Sequence, residues 1–252
     1  AECYNREEGT LNQQDNYNCP LCRNRGKTVE LVMEDGEEKA KFFECRCMNV
    51  RSTIARMQRS GRQDVISKYT LDSFRVENDF QRTLKEAAQG YLKAGTGWFF
   101  IGGQSGCGKS HIGTAIFREL LLAGKTCRYM AWREDAPRLK KLLHSEGDEY
   151  CAAVDQFKQA QVLYIDDLFK TGRGPDGTVA PSAADLNLAF TLLSARYARQ
   201  APTILSSELS ADALLRLDEA IGSRIVEMAG KNLCAVRNDK KRNYRLKGIR
   251  EL

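Results

Sequence analysis

The sequence predicts an α/β fold in which helices cover both faces of a parallel sheet. From Tyr69 onward, apolar runs of strand length alternate with segments of helical periodicity. The first such run leads into a glycine-rich turn that opens a helix. Helices that connect parallel strands cover both faces of the sheet. The N-terminal part differs, because five of the nine cysteines lie within the first 47 positions, which predicts a separate small module.

Length and composition restrict the protein class. The 252 residues suit one domain of about 200 residues with a smaller module. A hydrophobic content of 42% is enough for a core, and the net charge of +6 permits nucleic-acid binding without demonstrating it. No apolar run approaches the roughly 20 residues of a membrane-spanning helix, and no signal peptide is visible. We therefore expect a cytoplasmic protein without a membrane partner, although an opening on Ala1 suggests a trimmed or partial chain.

Four strands and two long helices follow from the apolar pattern of the second part. The strands alternate with helices, and the third strand ends on a carboxylate. In chain order we expect a strand at Trp98–Ile101, a helix that ends near Gly124, strands at Cys127–Trp132 and Val162–Ile165, a helix at Leu186–Arg199 and a strand at Pro202–Ser206.

The turn after the first strand carries the chemistry of a phosphate-binding loop. Its sequence, Gly103-Gln104-Ser105-Gly106-Cys107-Gly108-Lys109-Ser110, matches the pattern G-x-x-x-x-G-K-[ST] in full. Glycines let the backbone aim N–H groups at phosphate oxygens, and a helix N-terminus adds partial positive charge. We expect Lys109 to reach the β- and γ-phosphates of ATP and Ser110 to offer its hydroxyl to Mg²⁺.

Two neighbours of the catalytic groups in this loop receive weaker assignments. His111 follows Ser110 and belongs to the expected ATP-binding stretch, but packing on the helix is favoured over catalysis. Cys107 lies inside the loop, where we expect its side chain to face away from the phosphates. A redox switch at Cys107 is the alternative.

Two carboxylates end the third strand. Ligand sites of parallel sheets lie at the carboxyl ends of the strands, so Asp166 is expected to hold Mg²⁺ and Asp167 to orient or deprotonate the attacking water. The alternative is an acidic helix cap at a strand end. These residues predict a Mg²⁺-dependent ATPase.

The motifs together resemble the DnaC-like AAA+ helicase loaders of bacterial and phage replication, which are close to the IstB transposition ATPases. The phosphate loop and the acidic pair are generic to many ATPases. The features that narrow the family are Pro202–Glu208, Gly222–Ile225 and the cysteine module. The similar stretches are Tyr69–Phe74, the phosphate loop, Tyr164–Leu168, Ala201–Glu208, Gly222–Ile225 and Arg242–Arg245.

This resemblance implies further roles and partners. Arg224 would be an arginine finger for the ATP of a neighbouring subunit, so the protein would form a homo-oligomer on binding ATP. Ser207 and Glu208 fall at the polar sensor position, where Glu208 replaces the usual Asn. Tyr69–Phe74 would lie near the adenine, and no C-terminal lid domain would follow Tyr244. The implied partners are a DnaB-like replicative helicase and single-stranded DNA.

The cysteines of the N-terminal module form two pairs. Cys19 and Cys22 make a C-x-x-C knuckle, and Cys45 and Cys47 follow after 22 residues. Four thiolates in a tetrahedral arrangement suit Zn²⁺, and so small a module has too little core to fold unaided. Free structural thiols, or a redox pair at Cys19 and Cys22, are the alternatives. The intervening sequence predicts a hairpin, with strands at 28–33 and 41–44 around a turn at 34–38.

The expected organisation is a zinc-binding module at 1–50, a basic linker helix at 51–68 and an AAA+ ATPase domain at 69–252. Three stretches of the sequence are basic. We expect the arginines at 51, 56, 59 and 62 to be solvated or to contact DNA or a partner, and the segment 138–144 to be solvated or to contact DNA. The tail 237–245 is expected to touch phosphates of nucleotide or DNA. Residues 172–181 are rich in turn formers and predict a mobile loop.

Four functions fit this sequence. The first is an ATP-driven helicase loader. An IstB-type transposition ATPase shares the core, but we expect no zinc module there. A non-hydrolysing adaptor that ATP merely switches would not need Asp167 or Arg224. A small-molecule kinase would share only the phosphate loop.

Overall fold

Two units make up the chain. The computed structural model describes residues 2–34, 36–59, 65–143, 148–170 and 181–236. Contacts divide the chain into a first unit, Ala1–Ser67, and a second unit, Lys68–Leu252.

The first unit is built around an antiparallel hairpin. Its elements are α1 (Glu2–Arg6), α2 (Asn12–Asp15), β1 (Lys27–Glu34), β2 (Glu37–Glu44) and α3 (Cys47–Arg59), and α4 (Val65–Lys68) follows at the boundary. Lys27 pairs with Glu44 at one end of the hairpin and Glu34 with Glu37 at the other. The predicted hairpin is therefore present, and both strands extend further toward the turn than expected.

Helix α3 differs from the basic linker helix expected over 51–68. It begins at Cys47, and its apolar side chains Val50, Ile54 and Met57 are buried at helical spacing. Arg51 is buried as well and pairs with Asp15, so its expected role as a solvated or DNA-contacting residue is wrong. The side chains of the other three arginines, at 56, 59 and 62, lie outside the described residues.

The second unit has a five-stranded sheet. Its elements are α5 (Asp79–Ala94), β3 (Trp98–Gly103), α6 (Lys109–Leu122), β4 (Cys127–Ala131), α7 (Trp132–Leu142), α8 (Glu149–Lys158), β5 (Val162–Leu168), α9 (Ala183–Ala198), β6 (Thr203–Ser207), α10 (Ala211–Leu217), α11 (Glu219–Ala229), a 3₁₀ turn (Gly230–Asn232) and β7 (Leu233–Val236). The strand order is β4-β5-β6-β3-β7, and every pair is parallel. This order places the strand of the phosphate loop between β6 and β7.

Helices cover both faces of this sheet, as predicted. On one face Phe99 of β3 packs edge-on against Tyr91 of α5. On the other face Trp98 and Phe100 join a core that includes Leu192 of α9. All six residues of β3 are buried. The fold therefore fixes β3, and the loop that follows it, on both sides.

Four of the five strands are predicted from sequence, and β7 is not. Strand β7 is an edge strand of four residues that pairs with β3, and Val236 is its one buried residue. A short, half-exposed edge strand lacks the continuous apolar run by which we located the others.

Several expectations fall on residues that the structure does not describe. The predicted mobile loop at 172–181 lies outside the described residues except for Pro181. The basic tail at 237–245, and with it the expected absence of a lid, lies after the described residues. Within the described ranges no helix combines the length and apolarity that crossing a membrane requires.

Candidate nucleotide site and cysteine cluster

The loop between β3 and α6 depends on glycine at two positions. Gly103 ends β3 with φ +122°, and a Cβ there would lie 2.1 Å from the carbonyl oxygen of Val236 in β7. Gly108 caps α6 with φ +98°, in the left-handed region that other residues rarely adopt. The backbone can therefore turn tightly from the strand into the N-terminus of α6, which is a favourable place for an anion.

Lys109 lies at the first position of α6 and is buried against the loop. Its ammonium group donates hydrogen bonds of 2.7 Å to the carbonyl oxygens of both Gly103 and Gln104. Burial lowers the pKa of Lys109, and the nearby charges of Cys107, Asp167 and Glu208 counteract this effect. The thiol of Cys107 is buried and donates to the carbonyl oxygen of Gln104 at 3.1 Å. The loop thus holds the ammonium group of Lys109 at the N-terminus of α6.

Asp166 is the acceptor for hydroxyl groups from four elements. It lies near the end of β5 and is 1% exposed. The hydroxyl group of Ser110, at the start of α6, lies 3.3 Å from Asp166 Oδ1. Three further hydroxyls donate to the same carboxylate: Ser206 at 2.6 Å, Tyr164 at 2.9 Å and Tyr129 at 3.1 Å. The structure therefore brings together the two residues predicted to hold Mg²⁺, and their oxygen donors suit this ion.

Asp167 lies in an irregular turn at the end of β5. The register with β6 shifts between Ile165 and Leu168, and Asp167 has φ +58°. The Asp167 N–H donates to Ser206 Oγ at 2.9 Å. This backbone bond fixes the residue beside Asp166, while its carboxylate receives an ion pair from Lys170 at 3.2 Å.

Glu208 follows β6 and lies at the same end of the sheet. Lys170 also pairs with its carboxylate, at 2.9 Å, so one ammonium group joins Glu208 to Asp167. Ser207, the other candidate sensor, is buried and donates its hydroxyl to the carbonyl oxygen of Leu168. Of the two predicted sensor residues, Glu208 is therefore the one that shares a contact with Asp167.

Arg224 has a different environment. It lies on α11 and donates to the carbonyl oxygen of Ala220, one turn earlier, at 2.6 Å. Its guanidinium group also lies over two rings of α9, 5.2 Å from the centroid of Phe190 and 5.5 Å from that of Tyr197. Its contacts therefore orient it on the helical layer rather than at the phosphate loop.

His111 joins the start of α6 to the segment before α5. Its ring stacks on Tyr69, with centroids 4.5 Å apart, and meets Phe74 edge-on. Its Nε2 atom lies 2.9 Å from the carbonyl oxygen of Thr70. Burial lowers the pKa of His111. The expected packing role of His111 is thus present, and it fixes the segment that we predicted to lie near adenine.

The first unit brings four cysteines together. The sulfur atoms of Cys19, Cys22, Cys45 and Cys47 lie within 4.8 Å of one another, and all four side chains are buried. The Sγ atoms are 3.8 Å apart in the pair Cys19–Cys45 and 3.5 Å apart in Cys22–Cys47. A tetrahedron with Zn–S bonds of about 2.3 Å has sulfur atoms roughly 3.8 Å apart. The cluster therefore has the spacing and the donor set of a zinc site.

Groups around the cluster hold its thiols in place. The N–H of Gly26 donates to Cys22 Sγ at 3.3 Å, and Asn24 accepts from the N–H of Cys19 at 2.9 Å. Arg51 donates to Asn24 Oδ1 at 3.0 Å and to both oxygens of Asp15. Such outer contacts orient metal ligands, and the positive charge of Arg51 suits a cluster of thiolates.

The relatives of the chain agree with this architecture. No family model matches the chain. Over 253 residues the chain is 32% identical to the phage-like element PBSX protein XkdC of Bacillus subtilis (strain 168). The aligned region covers 93% of this chain and 88% of XkdC. The replicative helicase loader DnaC of Escherichia coli (strain K12) is 26% identical over 128 residues, 50% of this chain and about half, 51%, of DnaC. The chain belongs to the same family as XkdC.

Solved structures support the fold of this relative of XkdC. A crystal structure of the DnaC helicase loader matches with a TM-score of 0.55 and 23% identity, over 68% of this chain and 98% of that one. The crystal structure of DnaI matches with a TM-score of 0.53 and 19% identity, over 71% and 93%. A DNA replication initiation factor matches with a TM-score of 0.56 and 20% identity, but this chain spans 53% of it. The predicted AAA+ fold is confirmed.

Sequence reasoning missed four side chains of the candidate nucleotide site. Tyr129, Tyr164 and Ser206 donate to Asp166, and Lys170 joins Asp167 to Glu208. For the first three a signal existed, because polar groups near the carboxyl ends of adjacent parallel strands lie together. No periodicity locates Lys170, since its position depends on an irregular turn.

Proposed function

We propose that this DnaC-like protein is a Mg²⁺-dependent ATPase that loads a DnaB-like replicative helicase onto single-stranded DNA. The observation that carries the proposal is the contact of Ser110 with Asp166 beside the phosphate loop. It occurs in a chain whose relatives include a replicative helicase loader. In this proposal ATP binding and hydrolysis control the assembly of the loader with the helicase and its release.

Residues 103–111 would bind the nucleotide. The backbone N–H groups of the loop and the ammonium group of Lys109 supply positive charge for the phosphates. Ser110 and Asp166 would hold Mg²⁺, which when bound neutralises charge on the phosphate oxygens. The hydroxyls of Tyr129 and Tyr164 keep the Asp166 carboxylate oriented toward Ser110. The site would thus be largely organised before ATP binds.

Hydrolysis needs a group that orients water and a cation for the developing charge. In our proposal Asp167 orients the water, and Glu208 acts as the polar sensor beside it. Arg224 supplies the cation, toward the ATP of a neighbouring subunit, so the active form is a homo-oligomer. A finger supplied by another subunit makes turnover depend on assembly.

The cysteine cluster would hold one structural Zn²⁺. All four ligand positions would be filled by thiolates, which leaves none for a substrate. We propose that the zinc-binding module includes α3, whose Arg51 is buried, and that the ATPase domain occupies 69–252. The metal would fix the base of the β1–β2 hairpin, which is too small to be stable alone.

One face of this hairpin is the surface that we propose for the helicase. Leu31, Met33 and Phe42 lie on the same face and are 55%, 66% and 59% exposed. Helix α1 covers part of this face, where Tyr4 meets the ring of Phe42. Exposed apolar side chains that cluster in this way mark protein-interaction sites. In a loader, the helicase is the partner that such a surface would bind.

Binding to a purified replicative helicase tests the proposal. A stable complex should form with ATP, and the Met33→Lys substitution should weaken it at least about tenfold by placing a charge in an apolar contact. Val32→Lys, at a position on the opposite face, is the matched control. Failure to bind any cognate helicase, with ATP-dependent filaments on duplex DNA instead, would favour the transposition ATPase.

A further inference from the structure

Lys170 is a charged residue of the site for which the proposed mechanism has no role. Its ammonium group lies 3.2 Å from Asp167 Oδ2 and 2.9 Å from Glu208 Oε1. Burial alone would lower the pKa of Lys170, but the hydrogen bond and charge of Glu208, together with Asp167, raise it on balance. The side chain is therefore held as a cation between two carboxylates.

The backbone is built to place Lys170 there. Asp167 and Phe169 have φ values of +58° and +64°, so the chain reverses directly after β5. The N–H of Lys170 donates to the carbonyl oxygen of Asp167 at 2.9 Å, which closes the turn. Phe169 is fully buried and packs edge-on against Trp132, 5.4 Å between centroids. Left-handed non-glycine residues are strained, and such strain is concentrated at functional sites.

The charges around the phosphate loop explain why a cation is needed. Asp166, Asp167 and Glu208 carry three negative charges at the end of the sheet, and Lys109 carries one positive charge. With Lys170 the sum over these five side chains is −1, and without it the sum is −2. The charge of Lys170 also contributes to lowering the pKa of Lys109, so the two ammonium groups lie within electrostatic range of each other.

We propose that Lys170 is a positioning residue that neutralises Asp167 and Glu208, so that the polyphosphate of ATP can bind beside them. The inference rests on the proposed ATP site. Without the charge of Lys170, the two carboxylates next to the terminal phosphate would repel the nucleotide more strongly, and the Asp167 carboxylate would lose an ion pair. Lys170 therefore affects nucleotide affinity first and turnover second, without contacting the reacting atoms.

Nucleotide affinity measured without Mg²⁺ tests this role. With Mg²⁺ omitted and no chelator added, so that the proposed zinc ion is retained, the dissociation constant of a fluorescent ATP analogue should rise about fivefold or more for Lys170→Met and stay within about twofold for Lys170→Arg. The double variant Lys170→Met/Glu208→Gln should regain most of the affinity, because it restores the charge sum. Lys158→Met, which removes a lysine from a partly exposed ion pair on α8, is the control for net charge.

The outcomes are separable from failure of the ATP site itself. If the wild-type protein binds no nucleotide, the proposed function fails. If it binds, and Lys170→Met binds equally well in a folded state with an unchanged circular dichroism spectrum, the inference is overturned. An affinity that falls in Lys170→Met but does not recover in the double variant would also overturn it, since charge would then not be the cause.

Discussion

The hydroxyl group of Ser110 lies 3.3 Å from the carboxylate of Asp166, although 56 positions separate the two residues in sequence. Ser110 lies in the first turn of α6, after the phosphate loop, and Asp166 lies near the end of β5, which is separated from β3 by β6 in the sheet. Because the strands are parallel, both residues lie at the carboxyl ends of the strands, where a metal and a polyphosphate would be held together.

Asp166→Asn should nearly abolish ATP hydrolysis while the protein stays folded. The amide preserves the shape of the side chain but removes the negative charge that we expect to bind Mg²⁺. A fall in kcat/KM of about 100-fold or more is expected, by analogy with the loss of other groups that stabilise the charged transition state. The rate of phosphate release measures this fall, and Asp155→Asn in a partly exposed ion pair on α8 is the control. Activity close to wild type would contradict the assignment.

The cysteine cluster should bind one zinc ion per chain. Cys22→Ser is expected to lose the ion, whereas Cys151→Ser should retain it, because Cys151 is exposed and lies outside the cluster. A colorimetric zinc assay on the denatured protein gives the stoichiometry. Chelation with EDTA should also destabilise the first unit, since binding free energy at a structural site is folding free energy. Equal zinc content in both variants would exclude this site.

Arg51→Met should destabilise the first unit. Arg51 and its partner Asp15 are 7% and 8% exposed, and removing one member of a buried ion pair costs about 3–5 kcal/mol. The matched control is Arg82→Met on α5, whose pair with Asp79 is mostly exposed and contributes about 0–1 kcal/mol. Unfolding of the first unit is measured as the release of zinc with increasing urea concentration. Identical midpoints for the two variants would show that the buried pair has no such role.

Arg224 should act on the active site of another subunit. Arg224→Ala and Asp167→Asn are each expected to hydrolyse ATP poorly, because one lacks the finger and the other the water-orienting carboxylate. Mixing them should restore part of the activity, since a mixed assembly contains interfaces with an intact Asp167 and an intact Arg224. The phosphate-release rate is measured over a range of mixing ratios. A rate that never exceeds the sum of the two separate variants would argue against a finger in trans.

The sequence was sufficient for the fold class because strand and helix periods alternate clearly around the phosphate loop. Four buried strands were located by their apolar runs. The edge strand β7 was not, since its pairing with β3, rather than its own hydrophobicity, defines it. The hairpin and the cysteine cluster were predicted from spacing, and the structure brings the four sulfur atoms together.

Side chains whose roles depend on tertiary contacts could not be predicted from the sequence. Arg51 was interpreted as a linker residue because its partner Asp15 lies 36 positions away. Lys170 was missed because two left-handed residues, Asp167 and Phe169, redirect the chain after β5. Sequence patterns report burial and period, whereas these positions follow from an irregular backbone and from distant partners.

The most direct test of the account is loading of the cognate replicative helicase onto closed circular single-stranded DNA. Unwinding of an annealed oligonucleotide reports helicase that has been deposited. With ATP and the wild-type protein, unwinding should increase at least about tenfold over helicase alone, and Lys109→Ala and Arg224→Ala should remove the increase. Unwinding that is independent of the protein, or equally strong with both variants, would contradict the account.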